Sequence, residues 1–165
     1  KVTAAIALPF LVWIWAAREK RFGFVKAAGL GAVVTVVVFA LCTLAAGVDL
    51  GWLQALGGNS LLIHWLSLPT GVGELFGVIP AARIAGWALL AGIIVCLWGR
   101  LGLSREGGPK AVSGAAWALL ATVLLSSVTM PWYFTWPLVL AAGFAMRPGI
   151  TAGVAGVSVW LVVVN

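Results

Sequence analysis

The sequence predicts an all-α fold: a polytopic transmembrane helical bundle of about six membrane segments, with interfacial helices in one extracytoplasmic loop. Three observations carry this. The 165 residues are 63% hydrophobic and only 8% charged, with a mean hydropathy of +1.15. A soluble domain carries roughly 25% charged residues and is about half apolar, so a water-soluble fold of this size could not hide so much apolar surface. The apolar residues come in long runs, and the cations gather in the short stretches between them. The formal charge of +6 therefore records orientation in a bilayer, and no nucleic-acid partner is expected.

A helix needs about 20 apolar residues to span the hydrocarbon core. The first candidate is 2–17, the second 27–47, the third 84–99 with a few flanking residues, and the fourth 113–130. The fifth, 131–146, and the sixth, 150–164, are marginal, and could form a tilted hairpin or a re-entrant pair. Arg147-Pro148-Gly149 between them reads as a tight turn. The chain starts at Lys1 without an initiator Met and stops directly after an apolar run. Residues 1–165 thus read as a single transmembrane region, a fragment of a larger membrane protein. No small-residue cleavage site separates the first run from the basic cluster, so a signal peptide is not expected.

The loops set the orientation. Arg18, Lys20, Arg21 and Lys26 lie between the first two segments, Arg100, Arg105 and Lys110 between the third and fourth, and Arg147 between the fifth and sixth. Alternating helices put all of these on one side, and the positive-inside rule makes that side cytoplasmic. Lys1 and Arg83 fall on the other face, with Asp49, Glu74 and the single histidine, His64. Polar residues that topology does not explain therefore collect extracytoplasmically. Cys42 and Cys96 lie inside apolar segments at opposite depths, which argues for buried, inert thiols and against a disulfide.

The long outer loop, 48–83, is too apolar to float in water. Residues 50–56 and 60–68 read as short helices lying on or dipping into the membrane, broken by Gly57-Gly58-Asn59. Residues 68–74, LPTGVGE, read as a turn-rich connection. Gly149, Ala152, Gly153 and Gly156 give the sixth segment a small-residue face suited to close packing.

No P-loop, GxSxG, paired carboxylates or metal-ligand cluster is present in the sequence, and no cofactor is expected. No acidic residue sits mid-helix, which gives ion-coupled transport little support. Arg83 has two readings: a planar guanidinium that grips a lipid-linked phosphate, or an interfacial anchor that snorkels to headgroups. Lys1 has the same two. The turn at 70–74 either exposes backbone N–H groups to an anion or is a plain surface turn. In PWYFTWP, 131–137, Trp132, Tyr133 and Trp136 are compressed between two prolines, after Ser126, Ser127 and Thr129. Such aromatics are either belt residues or a cavity wall for sugar rings, whose C–H faces stack while hydroxyls hydrogen-bond. His64 and Glu74 could serve as a base or as sugar hydrogen-bonders, or His64 could simply pack at the interface beside Trp65.

Three segments carry a resemblance. KVTAAIALPFLVWIWAAR, 1–18, resembles the stretch of bacterial polyprenol-phosphate-mannose-dependent alpha-(1,6)-mannosyltransferases in which a Lys precedes an apolar helix containing ALPF. LSLPTGVGE, 66–74, resembles that family's outer loop. SSVTMPWYFTWPLVLA, 126–141, resembles its late Pro-Trp-Tyr motif. The segments come in the expected order and cover nearly the whole chain. The resemblance implies the C-terminal part of a GT-C membrane glycosyltransferase of the bacterial plasma membrane. It would pass mannose from a polyprenyl-phosphate-mannose donor to a glycolipid mannan (lipomannan) acceptor at the extracytoplasmic face. It implies Lys1 and Arg83 at the donor phosphate and Trp132 and Tyr133 at the sugar or cavity wall. Trp136 matches a looser part of the pattern, with Pro137 after it. His64 and Glu74 are implied as substrate contacts only. The family's catalytic carboxylate is expected upstream of Lys1, and no metal is expected. The alternatives are a transporter or flippase of a polyprenyl-linked sugar, or a non-catalytic membrane subunit.

Overall fold

The computed structural model describes residues 2–16, 23–47, 67–104, 108–127, 129–143 and 148–163. Among them every regular element is helical. A 3-10 turn, Val2–Ala7, leads into α1, Leu8–Ala16; then come α2, Gly23–Ala45, and the short α3, Leu68–Leu75. Next are α4, Ile79–Ser104, and α5, Pro109–Leu125, followed by a second 3-10 turn, Pro131–Phe134. The order closes with α6, Thr135–Ala141, and α7, Pro148–Val163.

Two of these helices are long and apolar enough to cross a membrane: Gly23–Ala45, and Ile79–Arg100 within α4. Ala5–Ala16 and Pro109–Leu125 are apolar but shorter. The expected fifth span is replaced by a 3-10 turn and the seven residues of α6. Proline explains the break. It lacks an N–H and fits only the first turn of a helix, so Pro131 opens the 3-10 turn and Pro137 sits in the opening turn of α6. The six-segment expectation is therefore met in membrane-length helices only by its second and third segments. The interfacial helix expected at 50–56 lies outside the described residues, as do residues 60–66 of the one expected at 60–68, whose last two residues are the N-cap and first residue of α3.

Residues 68–74 are corrected from turn to helix. Ser67 is the N-cap, with extended backbone (φ −77°, ψ 116°), and its side chain accepts from the Thr70 N–H. Pro69 follows in the first turn, where its fixed φ suits a helix start. The N–H groups of Gly71 and Phe76 donate to Ser67 and Val72 carbonyls, so they form helix bonds rather than an anion nest.

α5 is the hub. It packs against α1 and the 3-10 turn before it, against α4, and against α6. Its buried residues are Ala111, Gly114, Ala115, Ala116, Ala118, Leu119, Thr122 and Val123. Small side chains let helices approach closely where lipid tails are as apolar as leucine and packing must supply the attraction. Phe10 of α1 is fully buried against Ala115 and Ala118, with Ile94, Leu97 and Leu140 around it. α2 packs mainly on α1, burying only Gly23 and Ala27. Cys42 and Cys96 are both free and exposed on helix surfaces, a correction to the expectation of burial. Hydropathy alone does not separate a helix's lipid face from its packed face.

Two ends are defined by contact. At one, Trp13, Phe24 and Trp98 gather with ring centroids 4.7–5.5 Å apart, and the Trp98 indole N–H donates to the Pro9 carbonyl. Lys26 follows Phe24 by two residues and Arg100 follows Trp98 by two, so these cations share that end. At the other end the start of α4 meets the finish of α5, and α3 lies across both.

Candidate functional site

The second end holds the buried polar side chains. Ser67, Thr70, Thr122, Ser126 and Thr129 are all at most 8% exposed. Such groups need partners, since an unsatisfied hydroxyl in an apolar interior costs about 1–3 kcal/mol.

A proton count assigns the bonds, because each hydroxyl has one O–H to donate and lone pairs to accept with. Ser67 Oγ donates to the Ser126 carbonyl at 2.6 Å. Thr70 Oγ1 donates to the Ser127 carbonyl at 2.9 Å. Both protons are then used, so the 3.1 Å approach of the two hydroxyl oxygens is a contact without its own proton. The carbonyls filled in this way follow the end of α5, where a helix leaves its last C=O groups without internal partners. α3 thus caps α5 with two hydroxyls one helical turn apart.

Arg83 enters this clasp from the first turns of α4. Its Nε–H donates to Thr70 Oγ1 at 3.2 Å, using the lone pair that the donation to Ser127 leaves. Arg83 is half-buried and is the cation at this end among the described residues. Trp87, one turn further along α4, donates its indole N–H to Ser127 Oγ at 3.1 Å. Arg83, Thr70, Ser127 and Trp87 so form a loop of contacts across α3, α4 and the segment after α5. Below it, Ser126 Oγ and Thr129 Oγ1 stand 3.4 Å apart, and Thr129 also donates to the Val123 carbonyl.

The aromatic run begins directly after this layer. In the 3-10 turn the Tyr133 N–H donates to Met130 O at 2.9 Å. The turn sets Trp132 edge-on to Tyr133, with centroids 6.1 Å apart. Tyr133 stacks on Trp136 at 4.8 Å with 18° between planes. Thr135 Oγ1 donates to Trp132 O at 2.7 Å, tying the turn to α6. Trp132 remains 52% exposed. The result is a braced aromatic platform with Trp132 half-exposed at its edge.

Of the residues singled out from sequence, Arg83 joins the hydroxyl layer, and Trp132, Tyr133 and Trp136 form one platform beside it. Glu74 is exposed in the last turn of α3, and no hydrogen bond described above reaches its carboxylate. Lys1 and His64 lie outside the described residues. Sequence reading missed Ser67, Thr70's side chain and Trp87. Ser67-Leu68-Pro69 was the available signal, since a serine followed by proline in the next turn is a helix start.

Among the described residues, fold and site define an all-helical protein with two membrane-length helices and a polar, aromatic-edged end. The chain belongs to the MptB C-terminal domain family, whose model matches residues 55–165. It is 36% identical to alpha-(1->6)-mannopyranosyltransferase A of Mycobacterium tuberculosis, over 99% of this chain and 35% of that protein. It is 32% identical to alpha-(1->6)-mannopyranosyltransferase A of Corynebacterium glutamicum, over 98% of this chain and 39% of that protein. It is also 32% identical to alpha-(1->6)-mannopyranosyltransferase B of the same organism, over 82% of this chain and 24% of that protein. The chain therefore spans less than two fifths of the length of these curated relatives. No solved structure matches it. The family expected from the three sequence motifs is the family these comparisons show.

Proposed function

We propose that the full-length protein transfers mannose from a polyprenyl-phosphate-mannose donor to a lipid-anchored mannan at the extracytoplasmic face of a multi-pass plasma-membrane enzyme. This chain supplies the helical bundle that receives the donor's phosphate and sugar. The acceptor hydroxyl attacks the anomeric carbon while a base removes its proton, and the bond from that carbon to the phosphate oxygen breaks, its electron pair leaving with the phosphate. Stabilising that growing charge is work for a fixed cation with a planar donor fork. Arg83 is the residue we assign to it, with Lys1 as its partner. Trp132 and Tyr133 take the sugar face, Trp136 braces them, and His64 and Glu74 contact donor or acceptor. The lipid tail runs along the apolar outer wall.

The observation that carries the reading is the junction of Arg83 with the hydroxyl layer that leads into the aromatic platform. The relatives' names support mannosyl transfer, and the opposite end's cations Lys26, Arg100 and Lys110 support an outward-facing site by the positive-inside rule. The test is mannosyl transfer by the full-length protein in membranes, wild type beside Arg83→Ala at matched expression. We expect the variant to raise the donor KM by roughly ten- to hundredfold, the worth of a hydrogen-bonded charge contact. Equal transfer by both would leave Arg83 a headgroup anchor. No transfer by wild type to any mannan-like acceptor would move the assignment to transport of the lipid-linked sugar.

A further inference from the structure

We infer that α3 is seated in the membrane surface, with its outer apolar flank in the hydrocarbon of the adjoining leaflet. The inference rests on α4 as a membrane-crossing helix and not on mannosyl transfer. At about 100° per residue, α3 divides into three flanks. Pro69, Thr70 and Gly73 are buried against the bundle. Leu68, Val72, Leu75 and the C-cap Phe76 fall together within about 100° of arc, and all four are at least 51% exposed. Glu74, the one charged residue of α3, lies about 150° from the centre of that stripe and is exposed as well. A helix with an open apolar flank and a carboxylate opposite it suits a boundary between hydrocarbon and water.

Two observations say what covers the stripe. The first is continuity. The chain runs from Phe76 through exposed Val78 into α4, where Ile84, Trp87 and Val95 are exposed too. Ile84 and Val95 stand about three turns apart and so mark one stripe along α4, and on a membrane-crossing helix such a stripe meets lipid tails. The second is depth. The membrane-length part of α4 is the 22 residues Ile79–Arg100, about 33 Å at 1.5 Å per residue, against a hydrocarbon core about 30 Å thick. α3 meets the Ile79 end through a tight corner. Gly77 there has φ +69°, and the Val78 N–H donates to the Gly73 carbonyl at 2.7 Å, so α3 folds back onto the start of α4. With α4 across the membrane, that corner holds α3 at the boundary, where the apolar face of an interfacial helix sinks about 5–10 Å. The hydroxyl layer around Thr70 is then kept at headgroup level.

The experiment is nitroxide scanning of the full-length protein, its own cysteines replaced, in liposomes of phosphatidylethanolamine and phosphatidylglycerol. Labels are placed singly through Val72→Cys, Leu75→Cys and Glu74→Cys, with Val95→Cys as the hydrocarbon reference. Collision with oxygen, which concentrates in hydrocarbon, is compared with collision with a water-soluble nickel chelate. We expect oxygen to dominate severalfold for labels at Val72, Leu75 and Val95, and the chelate to dominate at Glu74. Phe76→Cys serves if a stripe variant fails to accumulate. The inference is overturned if the chelate dominates at Val72 and Leu75, which puts the stripe in water. It is also overturned if both reagents are excluded there, which means that another part of the protein or a second copy covers the stripe. Oxygen dominance at Glu74 as well would submerge the whole helix and overturn its place at the boundary. If the label at Val95 itself reports water, α4 does not cross the membrane and the inference falls with it. No activity is read, so each outcome is independent of the Arg83 assignment.

Discussion

At the scale of single residues, two glycines decide whether α3 can lie where it does. A Cβ on Gly86 of α4 would stand 2.5 Å from Pro69 Cγ and 3.2 Å from the Leu125 carbonyl oxygen. A Cβ on Gly73 of α3 would stand 2.6 Å from Ile79 Cα. Neither neighbour can swing aside, since one is a proline ring on a capped helix turn and the other is backbone. Only hydrogen fits, and the close approach brings Thr70 within reach of Arg83. Gly86→Ala should therefore cost about 1–3 kcal/mol, the usual penalty of an overpacked interior, read as a lowered Tm of the detergent-solubilised protein. Gly92→Ala, two turns on along α4 with nothing within 4 Å of its Cβ, is the comparator and should leave Tm unchanged. Equal Tm for the two variants would refute the close-packing account.

At the scale of elements, α3 shows both what the sequence makes legible and what it hides. Eight residues containing a proline and two glycines look like a turn, because both types lower helix propensity in isolation. Tertiary packing reverses that reading: Ser67 caps the start, Pro69 sits where no N–H is needed, and Gly73 is present for close approach rather than for bending. Ser67 also closes the carbonyl of Ser126, the residue that follows α5, a role that no local pattern announces, since the partners are 59 residues apart. Ser67→Ala should thus lose an N-cap and leave a buried carbonyl short of a donor, together costing about 2 kcal/mol. Faster limited proteolysis between α3 and α4 would report the loss, and unchanged cleavage would count against the clasp. By contrast α2 and α4 were plain from their apolar runs alone. The hub role of α5 was not, because in a lipid solvent a packed face and a tail-facing face are both apolar. What separates them is side-chain size: Ala111, Gly114, Ala115 and Ala118 are buried, whereas Val33, Val36, Leu41 and Leu44 of α2 are exposed. Arg83 stood out in the sequence as a cation on the wrong side of the topology, while its partner Thr70 did not, since a threonine in a loop carries no such anomaly.

At the scale of the whole molecule, α4 acts as a ruler. Arg83 and Arg100 are 17 positions apart on one helix, which at 1.5 Å per residue is about 26 Å. The hydrocarbon core of a bilayer is about 30 Å thick, and long cationic side chains reach outward a few more ångströms to the headgroups. An α4 that crosses the membrane would therefore set one arginine near each interface, with an outer wall of exposed valine, leucine and tryptophan between them. Lys26 and Lys110 fall at the Arg100 end, and α3 with Glu74 at the Arg83 end. The positive-inside rule then predicts a bundle oriented with α3 outside. Site-directed labelling checks this without reference to catalysis. With Cys42 and Cys96, the two thiols of this chain, and any others in the full-length protein replaced by alanine, single cysteines are placed at Glu74 and at Lys110. A membrane-impermeant maleimide added to intact cells should label Glu74→Cys, whereas Lys110→Cys should react only after permeabilisation. Both positions are exposed, so failure to react reports sidedness rather than burial. The reverse pattern would turn the site toward the cytoplasm, where a donor presented on the outer leaflet could not reach Arg83, and labelling of both from outside would mean that α4 does not cross the membrane at all.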